Sequence, residues 1–250
     1  MKIKHIGKMT VAGHRGDCYN YYENTMTAFE KALEAGAHMI ETDVRLTKDG
    51  VMVLMHDAKV DRTTDGTGAI ADMTYDEVKK LNAGDKDHPE QVPLFEDFIK
   101  WASEKNTMVN VELKEYSLDG NKDRCIKCLE DAIQVLDRYL TPDKFVINSF
   151  DAFILEYVYK KYGNKYLLHG FYPYTAMHNV NINPDEYLYC ACIWGEDGYN
   201  YLAEKNIEAW IGAGVTQESA LNIAHRMGAR LITTNNPADV LKKLERIGDE

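Results

Sequence analysis

Met39-Ile40-Glu41-Thr42-Asp43-Val44-Arg45-Leu46-Thr47-Lys48-Asp49-Gly50-Val51-Met52-Val53-Leu54-Met55-His56 decides the architecture of this chain. Two β-rich runs, Met39–Arg45 and Val51–His56, flank Thr47-Lys48-Asp49-Gly50. That interval is turn chemistry and too short for a crossover helix, so the second run should return antiparallel against the first. Elsewhere strand-like runs stand at Met9–Arg15, Thr107–Lys114, Lys144–Phe150, Tyr166–Tyr172, Tyr187–Ile193, Ala209–Ala213 and Arg230–Thr234. Helical patterns lie between most of them: Asn24–Ala35, Leu94–Glu104, Asp123–Tyr139, Ala152–Tyr162, Gly198–Glu204, Gln217–Met227 and Ala238–Arg246. With Val51–His56 set aside, the remaining strand candidates match the roughly eight repeats of a closed parallel barrel. The expected fold is α/β, a TIM (β/α)8 barrel.

Details follow from the same pattern. A four-residue loop between Leu46 and Val51 would set a register that puts His56 directly opposite Glu41, with both side chains on one face. Asn24 reads as the N-cap of the first helix, which shows Phe29, Ala32 and Leu33 at helical spacing and stops at Gly36. Residues 57–93 interrupt the alternation with Asp61-Arg62-Thr63-Thr64-Asp65-Gly66-Thr67-Gly68, a short helix near Tyr75–Leu81 and a polar Gly84–Gln91 segment. They read as a small inserted subdomain after the second strand region, capping the C-terminal rim where such barrels keep their sites. The whole of 1–250 is expected to form a single domain.

Bulk properties narrow the function. A chain of 250 residues with 45% hydrophobic and 28% charged content is an ordinary globular composition and can bury one sizeable core. A net charge of −11 argues against nucleic acid or an anionic membrane surface as partner, because either would repel the chain. No apolar run reaches the ~18 residues of a membrane span, and the start has lysines but no apolar stretch, so no leader is expected. Cys18, Cys125, Cys128, Cys190 and Cys192 read as free thiols rather than a zinc site, which points to a cytoplasmic protein. The oligomeric state is left open.

The chemistry gathers at strand ends. Glu41 and Asp43, two apart on a strand, project to one side. Inside a barrel two such carboxylates are costly unless a proton or a metal neutralises them; on an exposed strand they would instead pair with Arg45 and Lys48. Glu112 and Lys114 repeat the spacing on a later strand, as a structural ion pair or as part of the same site. Three carboxylates make an oxygen-rich site suited to Mg²⁺ or Ca²⁺ rather than zinc. His14-Arg15-Gly16 and His56-Asp57 add two proton-transfer groups and a clamp for an anion, the inventory for metal-assisted attack on a phosphate ester.

Taken in order, His14-Arg15-Gly16, Glu23-Asn24-Thr25, Glu41-Thr42-Asp43-Val44, Thr47-Lys48-Asp49-Gly50, His56-Asp57, Arg62-Thr63-Thr64-Asp65-Gly66-Thr67-Gly68 and Glu112-Leu113-Lys114 resemble the glycerophosphodiester phosphodiesterase family, and Asn148-Ser149-Phe150-Asp151 continues the match. The resemblance implies a phosphoric diester hydrolase that splits small-molecule glycerophosphodiesters into glycerol 3-phosphate and an alcohol, with a divalent metal, Mg²⁺ or Ca²⁺. Carried onto this chain, Glu41, Asp43 and Glu112 are the expected metal ligands, and His14 and His56 the general base and general acid. Arg15 becomes a phosphate clamp and Lys114 a phosphate-binding cation, while Glu23, Asn24 and the Arg62–Gly68 run anchored by Asp57 look architectural.

The C-terminal half departs from the family's pattern. Trp210-Ile211-Gly212-Ala213-Gly214 stands where Trp-Thr-hydrophobic-Asn is frequent, and Thr233-Thr234-Asn235-Asn236-Pro237 where Thr-Asp-x-Pro is usual. Trp210 is expected to wall the substrate or, alternatively, to fill the core. Tyr19, Tyr21 and Tyr22, with Tyr172, Tyr174, Tyr187 and Tyr189, line an alcohol pocket, face a partner subunit or pack inside. The rival functions are a phospholipase-C-like lyase that releases a cyclic phosphate and a non-catalytic phosphoester-binding barrel. A metal-dependent sugar isomerase barrel fits the His-Arg-Gly start poorly.

Overall fold

The computed structural model describes residues 2–247. Its strands are β1 (Thr10–His14), β2 (Met39–Leu46), β3 (Met52–Leu54), β4 (Met108–Leu113), β5 (Phe145–Asn148), β6 (Leu167–Tyr172), β7 (Cys190–Ile193), β8 (Glu208–Ile211) and β9 (Leu231–Thr234). The helices are α1 (Met26–Glu34), α2 (Tyr75–Val78), α3 (Phe95–Glu104), α4 (Lys122–Tyr139), α5 (Ala152–Tyr162), α6 (Asp197–Glu204), α7 (Glu218–Arg226) and α8 (Pro237–Arg246). Neighbouring strands run β1-β9-β8-β7-β6-β5-β4-β2, and the pairing of β1 with β2 closes the ring as a parallel TIM barrel. β3 lies outside it, antiparallel to the far end of β2. The crossover from β6 to β7 carries only the short 3-10 turns Tyr174–Ala176 and Pro184–Glu186 in place of a helix.

Strand alternation sorts the side chains into two cores. Val11, Ile40, Val109, Val111, Phe145 and Ile147 face outward and pack under the helices. Ala12, Met39, Met108, Val146, Leu167, Cys190, Trp210 and Leu231 face inward and fill the barrel below the site, together with Ile3. Trp210 is 1% exposed, and its Nε1 donates to Glu208 Oε2 at 3.1 Å. It therefore belongs to the core and is not among the residues that line the cavity at the barrel mouth. The residues between β3 and α3 gather on a third small cluster of Val53, Met55, Val60, Ile70, Val78, Ala83 and Val92.

Two local expectations are corrected. The turn after β2 holds three residues, not four. Thr47 N donates to Val51 O at 2.9 Å, the Thr47 hydroxyl accepts from Val51 N at 2.9 Å, and Gly50 takes φ +81°. Leu46 thus faces Met52, Arg45 faces Val53 and Val44 faces Leu54, one step away from the register that would oppose His56 to Glu41. His56 reaches the site by another route: the strand ends at Leu54, and Arg45 holds the His56 carbonyl with Nε and Nη2 at 2.9 and 2.7 Å. The N-cap of α1 is Thr25, whose hydroxyl accepts from Ala28 N, and not Asn24. Asn24 sits at φ +55° and turns its amide towards β2.

Candidate active site

Register brings the polar residues together. His14 on β1 is level with Glu41 on β2, Glu41 with Asn110 on β4, and Asp43 with Glu112. Glu112 is level with Asn148 on β5, and Asn148 with His169 on β6. With Arg15, His56, Lys114, Phe150, Phe171 and Trp194, residues of this band line a cavity of about 300 Å³ at the C-terminal mouth of the barrel.

The loop after β1 is built to aim Arg15. Its backbone, at φ +55°, presents N–H to both the main-chain and the Oε2 oxygens of Glu41 at 3.0 Å. The guanidinium spans Asp43 Oδ2 at 3.2 Å and Glu23 Oε1 at 3.0 Å. Gly16 follows at φ +86°, where a Cβ would lie 2.5 Å from the Ala28 carbonyl carbon, so only glycine lets the loop press on α1. Asn24 donates to Asp43 Oδ2 at 2.9 Å and accepts from the Thr42 hydroxyl at 2.8 Å, which fixes the Asp43 carboxylate.

Glu41, Asp43 and Glu112 are buried, and one ligand oxygen from each lies within 4.8 Å of the others. Burial pushes Asp43 up, but Lys114, Arg15 and the Asn24 amide hold it below the usual carboxylate range. Burial and the charges of Asp43 and Glu112 push Glu41 well above that range, and burial raises Glu112 despite Lys114. Three carboxylates thus face two permanent cations, Arg15 and Lys114. Hard oxygen donors with an uncompensated negative charge fit a divalent cation, which these three residues would hold.

Lys114 reaches Glu112 Oε1 at 2.6 Å and Asp43 Oδ1 at 3.2 Å. His14 and His56 flank this cluster. His14 Nδ1 is 2.6 Å from Asn235 Oδ1, and its Nε2 is 3.9 Å from Glu41 Oε2. His56 Nδ1 is 2.7 Å from Asp57 Oδ1, and Arg62 ties Asp57 to Glu23. Burial lowers both imidazoles below the ordinary histidine value, helped by Arg15 at His14 and by Lys114 at His56. Both are neutral near pH 7, the state in which an imidazole can accept a proton or hold one to give.

Of the residues singled out from sequence, His14, Arg15, Glu41, Asp43, His56, Glu112 and Lys114 meet here, and Trp210 does not. The aromatic wall comes instead from Phe150, Phe171 and Trp194, with Phe150 stacked on Phe171 at 3.5 Å between centroids. Trp194 continues the inward alternation of Cys190 and Cys192 by one step, a signal that the sequence reading left unused. Asn148 Oδ1 and His169 Nε2, on residues lining the cavity, have no hydrogen-bond partner among the described residues. The tyrosines lie elsewhere. Tyr19, Tyr21 and Tyr22 line a separate cleft of about 660 Å³ with His88, Pro89 and Glu90. Tyr174 and Tyr201 bind Asp185, and Tyr189 binds Glu208 below the barrel.

The sequence profile of the glycerophosphoryl diester phosphodiesterase family matches residues 14–245. The chain belongs to that family. A family relative, a glycerophosphodiester phosphodiesterase of Bacillus altitudinis, is 33% identical over 247 residues, 94% of this chain and 89% of that one. Another from Caldanaerobacter subterraneus is 38% identical over 159 residues, 61% of this chain, and the match spans 63% of that relative's length. Among solved structures, an Oleispira antarctica phosphodiesterase in complex with the product sn-glycerol-3-phosphate superposes with a TM-score of 0.81 at 20% identity, covering 94% of this chain and 96% of that one. The family's barrel from Thermotoga maritima gives 0.74 at 22% identity, covering 95% and 99%. These likenesses place the fold. Among the described residues no helix is long and apolar enough to cross a membrane.

Proposed function

We propose that this chain hydrolyses glycerophosphodiesters to glycerol 3-phosphate and an alcohol, with Mg²⁺ or Ca²⁺ held by Glu41, Asp43 and Glu112. The observation that carries the reading is that His14 and His56 share one cavity with Glu41 and Glu112, and that an oxygen of buried Asp43 lies within 4.8 Å of both carboxylates. Bound there, a divalent cation supplies Lewis-acid polarisation of a phosphoryl oxygen and lowers the pKa of a neighbouring hydroxyl. Arg15 and Lys114 bind the remaining phosphoryl oxygens and hold them as charge redistributes. His14 takes the proton of the glycerol hydroxyl that attacks phosphorus, and His56 protonates the departing alkoxide. Water then opens the cyclic phosphate with the histidines exchanging roles. Each imidazole contributes on the order of 10²–10⁴-fold in rate. The same reading treats the chain as one domain in which residues 57–93 form an insertion, tied to the site through Arg62, Asp57 and Glu23.

The test is product release from glycerophosphocholine, glycerophosphoethanolamine and glycerophosphoglycerol, in EDTA and then with added Mg²⁺ or Ca²⁺. Glycerol 3-phosphate formed only with metal, and lost in His14→Ala and His56→Ala, is the expected result. A cyclic phosphate as the final product would assign the lyase reaction instead, and no product from any diester would leave a binding role.

A further inference from the structure

We propose that Asn235 is a positioning residue that fixes the tautomer of His14 and thereby leaves Nε2 as the basic nitrogen. The inference deepens the reading of His14 as general base and rests on it for the consequence in turnover; the tautomer itself is a property of the free protein.

Asn235 directly follows β9, and its Oδ1 lies 2.6 Å from His14 Nδ1. An amide oxygen can only accept, so the proton of this contact belongs to Nδ1. A bare Nδ1 would set two lone pairs against each other at that distance. The neutral ring then carries its lone pair on Nε2, the nitrogen on the Glu41 side, 3.9 Å from Oε2. When Nε2 takes a proton, Nδ1–H keeps donating to the same oxygen, so no group has to turn over during the transfer. An imidazole free to choose would spend part of its time as the other tautomer, with Nε2 already protonated and unable to act.

The backbone of Asn235 is held in place from both sides. Asn235 O accepts from Tyr19 N at 3.0 Å, which ties it to the loop that also carries Arg15. Immediately after it, Asn236 caps α8 by accepting from Asp239 N at 3.1 Å, and Pro237 opens that helix. The backbone of this exposed residue is thus fixed between a strand end and a helix start, so its side chain leaves the chain at a set point beside the ring it touches.

Substitution separates the roles, because a carboxylate accepts as the amide oxygen does but donates nothing. N235A is expected to lower kcat by on the order of 10–100-fold while KM changes less than about threefold. N235D, which keeps the acceptor, is expected to recover most of that kcat. Thermal melts of both variants read any general loss of fold, which N235D would share with N235A. The ¹⁵N spectrum of histidine-labelled protein without substrate, with the His14 signals assigned by their loss in H14Q, should show the Nδ1–H tautomer in the parent and N235D, and a mixture in N235A. An Nε2–H tautomer in the parent, or N235D as slow as N235A, would overturn the assignment. If the protein turned over no diester, the spectrum would still decide the tautomer, and the failure would fall on the proposed reaction alone.

Discussion

Lys114 Nζ lies 2.6 Å from Glu112 Oε1, two residues back along the same run, with only 6% of the lysine side chain exposed. Buried cations of this kind are retained when they offset charge that would otherwise be stranded. Here Lys114 and Arg15 stand against three carboxylates, so the pair keeps a site folded that would repel itself without a metal. Lys114→Met should cost about 3–5 kcal/mol. In a chain of this size that lowers Tm by on the order of 10 °C. The loss should be largest in EDTA, and added Mg²⁺ should raise Tm further in the variant than in the parent, because the cation takes over the missing charge. A smaller Mg²⁺ gain in the variant would count against cation binding by the carboxylates.

The tryptophan just past β7 and the one on β8 make opposite predictions. Trp210 is 1% exposed beneath the site and packs against His169 at 4.9 Å between ring centroids, whereas Trp194 is 54% exposed at the cavity mouth. Trp210→Ala should cost about 3–5 kcal/mol through the cavity it leaves. Trp194→Ala should leave the melt nearly unchanged and raise KM by roughly 3- to 10-fold through a lost ring contact. Urea unfolding and steady-state kinetics on both variants check this. A KM rise confined to Trp210→Ala would return the substrate wall to the core residue.

That exchange of tryptophans marks where sequence legibility ended. The barrel could be read because alternation of period two and helical spacing recur along the whole chain, and because Thr47–Gly50 leaves no room for a crossover. The carboxylates and Lys114 could be read because same-face spacing on a strand survives small errors in strand ends. Side chains beyond the strand ends were less visible. Trp194 shows only as one further step of the β7 alternation, and Asn235 acquires its role from a loop path: no local pattern states that it meets a histidine more than two hundred residues earlier. The β2–β3 register failed by one residue because Thr47 could close the turn with its hydroxyl as well as its backbone.

His169 carries a prediction about acid. It is buried between Asn110 and Trp210, and burial lowers its pKa to about 3, so the folded protein keeps the ring neutral. The unfolded chain protonates it near the ordinary value of about 6.5. Below that pH the unfolded state binds a proton that the folded state refuses, so stability is full above ~6.5 and falls as pH drops towards ~3, by at most ~1.4 kcal/mol per unit from this ring. His169→Gln keeps a polar partner for Asn110 and removes the titration. Urea unfolding in EDTA at intervals from pH 7.5 to 4.5 should therefore give a flatter profile for the variant than for the parent below pH 6.5. Parallel profiles would mean that the folded barrel admits the proton after all, through a ring that opens to the cavity above it.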